Sequence, residues 1–101
     1  MRAVHIDPGH LRIIIGILER FPDVQKAAVF GSRSLGTEKA GSDVDLALYG
    51  NVDDKLLGQV RSALDDTALP YFFDVVAYGT IGHPELLQHI DTHGGVIFER
   101  S

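Results

Sequence analysis

The apolar positions change period several times along the chain. Leu11, Ile14, Ile15, Leu18 and Phe21 recur at helical spacing. Asp7-Pro8 stands just before them, with an N-capping side chain at Asp7 and a proline at the first helical position. Phe21-Pro22-Asp23 closes that helix. Val24 to Phe30 (VQKAAVF) reads as a strand that runs straight into Gly31. A loop rich in glycine and serine follows, from Gly31 to Ser42, with room for a short helical turn after Ser32. Asp43 to Tyr49 reads as a second strand. Asn51 to Asp54 is polar and can cap a helix whose apolar positions are Leu56, Leu57, Val60 and Leu64, stopped by Leu69-Pro70. Tyr71 to Tyr78 (YFFDVVAY) is dense in aromatic and β-branched residues and gives the strongest strand signal. His83 to about His93 predicts a short helix with Pro84 at its start, and Val96 to Glu99 a short last strand.

The order αβ(loop)βαβαβ predicts an α/β (α+β) fold in which one mixed β-sheet is flanked by helices. The sequence shows no internal repeat, low-complexity tract or linker, so a single domain is expected over residues 1–101. Hydrophobic residues at 45% and charged residues at 23% suit a globular chain with one core. The absence of cysteine excludes disulfides and thiolate metal sites. No apolar run approaches the length of a membrane span, and MRAVHIDPGH lacks the apolar core of a signal peptide, so a cytoplasmic location is expected. A net charge of −5 gives no global attraction for nucleic acid, and no direct binding to it is expected.

Three carboxylates change the picture. Only Val44 separates Asp43 from Asp45. On a strand both would point to one face, about 7 Å apart along the chain, while Val44, Leu46 and Leu48 enter the core. Such a pair can converge on a hard divalent cation, whose charge offsets their repulsion. A turn aspartate followed by an exposed strand aspartate accounts for the spacing as well. Asp74 lies within an apolar strand that reads as buried, where an isolated carboxylate is costly and needs a cationic partner, either a metal or an arginine. An edge strand with Asp74 facing solvent is the competing reading.

The loop offers complementary chemistry. Gly31 can bring backbone N–H groups close to an anion, Ser32 adds a hydroxyl, and Arg33 and Lys39 add positive charge. It is not a P-loop, because Thr37-Glu38 stands where a lysine and a hydroxyl residue belong. An ordinary glycine-rich turn between strands has the same composition. His89 and His93 have the helical spacing of a metal pair, but no third ligand stands nearby in sequence, and a solvated helix face is the simpler reading. Tyr49, Tyr71 and Tyr78 read as packing residues.

Gly31-Ser32-Arg33, then Gly36, then Gly41-Ser42-Asp43-Val44-Asp45-Leu46 resembles the signature of the DNA polymerase β-like nucleotidyltransferase superfamily. The small size and the form of the motif resemble its minimal nucleotidyltransferases. The likeness continues through the Leu-Pro-Tyr strand with Asp74 and through Pro84-Glu85-Leu86, so it covers most of the chain. The resemblance implies that Gly31, Ser32, Arg33 and Ser42 contact the nucleotide, with Arg33 stabilising charge or bracing the loop. It implies that Asp43, Asp45 and Asp74 hold Mg²⁺, two ions in the superfamily's usual scheme. Asp74 would also help to deprotonate an attacking hydroxyl. The implied reaction moves AMP from ATP to a tyrosine of a small helical partner of the HEPN type, with the nucleotidyltransferase as antitoxin. The chain has no room for a separate acceptor-binding domain, so a partner or a second copy in a homo-oligomer would supply it. A catalytically idle subunit that silences its partner by contact, and a transferase acting on a small-molecule hydroxyl, are the alternatives.

Overall fold

Asp7 starts the first helix as its sequence predicts. Its carboxylate accepts from Gly9 N–H at 2.8 Å and His10 N–H at 3.3 Å, satisfying two amides that a helix start leaves unpaired. In the computed structural model, which describes residues 4–31 and 43–100, this helix is α1, Pro8–Leu18. It is followed by β1 (Val24–Phe30), β2 (Val44–Gly50), α2 (Asp54–Asp65), β3 (Phe73–Ala77), a 3₁₀ turn (Tyr78–Thr80), α3 (Pro84–His93) and β4 (Gly95–Glu99). The predicted order of helices and strands holds throughout the described residues. The expected helical turn after Ser32 lies outside them.

The four strands form one sheet in the order β3-β2-β1-β4. β1 runs antiparallel to both β2 and β4, and β2 runs parallel to β3. The parallel pair needs a crossover, which α2 supplies. Alternation along β2 sends Val44, Leu46 and Leu48, all fully buried, into the main core. There they join Ile14 and Leu18 of α1 and Val60 and Leu64 of α2. On the opposite face Phe30 and Ala47 form a smaller cluster with Ile90 of α3, and Tyr49, Val76, Tyr78 and Leu86 pack around it. The sheet thus has a thick apolar face under α1 and α2 and a thinner, more polar face under α3.

Two features lie outside what the sequence predicted. β3 is an edge strand and shorter than the aromatic run suggested: Phe72 precedes it and is 76% exposed, and Tyr78 has left it for the 3₁₀ turn. Asp74 is therefore exposed, not buried, and the argument that burial forces a partner on it does not hold. An edge strand with one solvated face carries a carboxylate at no such cost. The second feature is Arg100. Its guanidinium donates to the carbonyls of Val24 (2.8 Å), Phe21 (3.1 Å), Glu19 (3.2 Å) and Leu18 (3.4 Å). It thereby closes the C-terminal end of α1, where unpaired carbonyls and the helix dipole favour a cation.

Candidate nucleotide site

The register of the parallel pair decides which carboxylates meet. Phe72 C=O accepts from Val44 N–H at 2.8 Å, which fixes the entry of β2 beside β3. Asp45 then falls directly opposite Asp74. Neighbouring strands are about 4.8 Å apart, and side chains at paired positions of parallel strands share a face, so both carboxylates lie on the α3 side of the sheet. Asp43 precedes β2, is exposed, and acts on Asp45 through space.

Asp45 bears the electrostatic strain of this arrangement. Its carboxyl is pushed above the usual value of 3.8, first by partial burial, then by the negative charges of Asp74 and Asp43. Among the described residues no basic side chain forms an ion pair with any of the three. The donor set therefore suits a hard divalent cation: all oxygen, negatively charged and in need of a counter-charge. It is not a finished cage, since among the described residues no group of three His, Asp or Glu side chains is arranged to hold an ion by itself. Mg²⁺ usually takes only one or two protein carboxylates and completes its shell with water and phosphate oxygens.

Gly31 closes the site from β1. Phe30 pairs with Asp45 in the sheet, and Gly31 comes next with φ of +74°, the left-handed region that glycine enters freely. A Cβ there would collide with the Asp45 carboxylate. Glycine is thus required twice, by the turn and by the close approach. The Gly31 N–H donates to His89 Nε2 of α3 at 3.0 Å. His89, read as a solvated helix residue, is instead half-buried, with its ring edge-on to Phe30 at 6.1 Å. Only a three-dimensional register, β1 ending beneath the second turn of α3, could have revealed that contact. His93 lies beside it, ring centroids 5.3 Å apart, with a buried Nδ1 that has no hydrogen-bond partner. Ser32, Arg33 and Ser42, assigned to the nucleotide by resemblance, lie outside the described residues.

A groove of about 550 Å³ lies elsewhere, between the end of α1 and α2, lined by residues including Arg20, Lys55, Gln59 and Asp66. It holds none of the carboxylates discussed above. No helix among the described residues is long and apolar enough to cross a membrane.

A sheet of this topology, with paired aspartates on adjacent parallel strands and a glycine turn against one of them, defines a nucleotidyltransferase fold. The sequence profile described as "Polymerase beta, Nucleotidyltransferase" matches residues 13–101, and the chain belongs to that family. Among solved structures, a toxin–antitoxin crystallised with AMP-PNP is similar at 26% identity and a TM-score of 0.75, over 90% of this chain and 74% of that one. A mutant of the toxin–antitoxin MntA-HpeT is similar at 27% identity and a TM-score of 0.72, over 89% of this chain and 72% of that one. A complex of a tri-AMPylated HEPN toxin with an MNT antitoxin, from Shewanella oneidensis, shares the fold at 23% identity and a TM-score of 0.69, over 90% and 71% of the two chains. These neighbours are thus toxin–antitoxin complexes, one of them an MNT antitoxin with a HEPN toxin. No curated protein matches the sequence at the same stringency.

Proposed function

We propose that this chain is a Mg²⁺-dependent nucleotidyltransferase that moves AMP from ATP to a tyrosine hydroxyl of a HEPN-type helical partner, as the antitoxin of the pair. The observation that carries the proposal is the facing of Asp45 and Asp74 across parallel strands, with Gly31 packed against Asp45, in a chain of this family. The neighbours bound to AMP-PNP and to an AMPylated toxin favour the same nucleotide and the same kind of acceptor.

Asp45 and Asp74, with Asp43 at the rim, are the residues that would hold Mg²⁺, which when bound supplies positive charge to the phosphates and to the developing alkoxide or phenoxide. Asp45 must be ionised for this role, and its raised carboxyl pKa makes the proton a competitor of the cation. Asp74, exposed at the sheet edge, is accessible to an incoming hydroxyl and takes its proton. The hydroxyl oxygen forms a bond to the α-phosphorus, the bond from that phosphorus to the bridging oxygen breaks, and pyrophosphate departs with the electron pair. Ser32, Arg33 and Ser42 contact the phosphates and Gly31 sets the direction of the chain toward them. Catalysis in such a site is positioning and charge stabilisation.

Purified chain, its HEPN-type partner, Mg²⁺ and ATP should yield a partner species heavier by one or more AMP units in intact-mass spectrometry. Asp43→Asn and Ser32→Ala should each suppress it. A partner that is bound and silenced but never gains mass, with any nucleoside triphosphate, would establish contact-only neutralisation instead.

A further inference from the structure

The geometry points to His89 as a positioning residue of the nucleotide site, holding the Gly31 peptide against Asp45 through its Nε2. This inference rests on the nucleotidyltransferase reading and adds a residue from α3, an element in which the resemblance implied no site residue. Gly31 is the last described residue before residues 32–42, and its peptide is fixed from two sides. The Asp45 carboxylate occupies the space where a side chain would stand, and His89 Nε2 accepts the peptide N–H at 3.0 Å. Because a backbone amide can only donate, His89 must present an unprotonated Nε2, which makes the ring the neutral tautomer with its proton on Nδ1. The edge-on contact with Phe30 sets the plane of the ring, and Phe30 itself pairs with Asp45 in the sheet. Phe30, Gly31, Asp45 and His89 therefore form one connected unit. In it the Gly31 N–H points to α3 rather than outward, so the contribution of Gly31 is to turn the chain, and His89 holds the turn. α3 thereby has a task beyond covering Phe30 and Ala47: it couples the phosphate end of β1 to the carboxylates.

His89→Leu keeps the approximate volume and removes the acceptor, whereas His89→Gln keeps an acceptor of similar reach. Three measurements separate positioning from mere packing. Calorimetry with Mg·ATP should show affinity about fivefold weaker in His89→Leu, the scale of one neutral hydrogen bond, and largely restored in His89→Gln. Transfer at saturating ATP should be nearly unchanged, so that KM rises while kcat stays. Hydrogen exchange read in ¹H–¹⁵N spectra should show the Gly31 amide protected in wild type and His89→Gln and unprotected in His89→Leu. Equal losses of affinity in both variants, tracking a lowered melting temperature, would reduce His89 to a packing residue. Wild-type affinity in His89→Leu would overturn the assignment outright. A wild-type chain that binds no nucleotide would overturn the nucleotidyltransferase reading itself, an outcome distinct from either of these.

Discussion

The face of the sheet under α3 has two ends of opposite electrostatic character. At one end Asp45 faces Asp74, Asp43 adds a third negative charge, and no basic side chain among the described residues forms an ion pair with them. At the other end the charged groups have partners. The Lys26 ammonium sits 4.6 Å above the Tyr49 ring, Tyr49 stacks on Tyr78 at 4.3 Å, and the Tyr78 hydroxyl donates to Asp91 at 2.6 Å. Both ends are built on the same strand, two turns of the pleat apart. The paired end is balanced by its own side chains, whereas among the described residues the end where like charges gather is not. Like charges gathered in this way are a feature that functional sites share, and they are why the proposal is placed at this end.

The largest effect should come from neutralising the unbalanced end. Asp45→Asn with Asp74→Asn should lower AMP transfer by at least about 10²-fold, the scale of losing a positioned proton acceptor and part of a charge clamp. The fold should persist, because neither side chain is in the core, and melts of the metal-free protein should show equal or higher stability. A collapse of the fold would mean that these carboxylates are structural.

Gly31→Ala comes next. The added methyl group meets the Asp45 carboxylate at a φ of +74°, so either the turn or the aspartate must shift. A strained backbone position of this kind costs on the order of 1–3 kcal/mol. Affinity for Mg·ATP, read by calorimetry, should fall about tenfold, by the same 1.4 kcal/mol arithmetic that links energy to binding. The same change at Gly16, where a Cβ meets nothing within 4 Å, should leave binding unaltered.

These contrasts also mark how far the sequence could be read. The element order, the Asp7 cap and the inward set Val44, Leu46 and Leu48 followed from local pattern alone, since period and capping are local properties. The proximity of Asp43 and Asp45 to each other was legible for the same reason. The opposition of Asp45 and Asp74 rests on a parallel register across a crossover, which local periodicity does not specify. Asp74 misled because an apolar run reads alike in a central strand and in an edge strand; only the strand order puts β3 at the rim. His89 and Arg100 were hidden for a third reason. Each makes its hydrogen bonds to backbone groups distant in the chain, Gly31 in one case and the end of α1 in the other, and a backbone partner leaves no residue-type signal.

A smaller effect separates burial from repulsion at Asp45. Its folded carboxyl pKa stands above 3.8, so between 3.8 and that raised value the native state keeps a proton that the unfolded chain has lost. The contribution of this group to stability is full below 3.8 and is lost as pH rises through the raised value. Metal-free Asp45→Asn should therefore melt a few degrees above wild type at neutral pH, with the gap closing as the pH falls toward 3.8. Asp74→Asn should lower the Asp45 pKa only in part, because burial is the larger cause. Carboxyl carbon shifts followed by NMR would measure both; a full return to 3.8 in Asp74→Asn would make repulsion the dominant cause.

The smallest effect belongs to the paired end. The hydrogen bond to Asp91 pushes the Tyr78 phenol up to about 12, and burial followed by the Asp91 charge raises Tyr49 as well. For a phenol raised in the native state, the associated stability is intact at neutral pH and is lost between about 10 and 12. Asp91→Asn should bring the Tyr78 titration back toward 10, visible in the ultraviolet absorbance of phenolate. It should lower the neutral-pH melting temperature slightly, since the pair is exposed, and leave AMP transfer within error of wild type. That outcome would show the two ends of the face to be independent, as their separate partners imply. A change in transfer of more than about twofold, beyond what an exposed substitution away from a site normally produces, would instead mean that the tyrosine stack and α3 carry the carboxylate end with them.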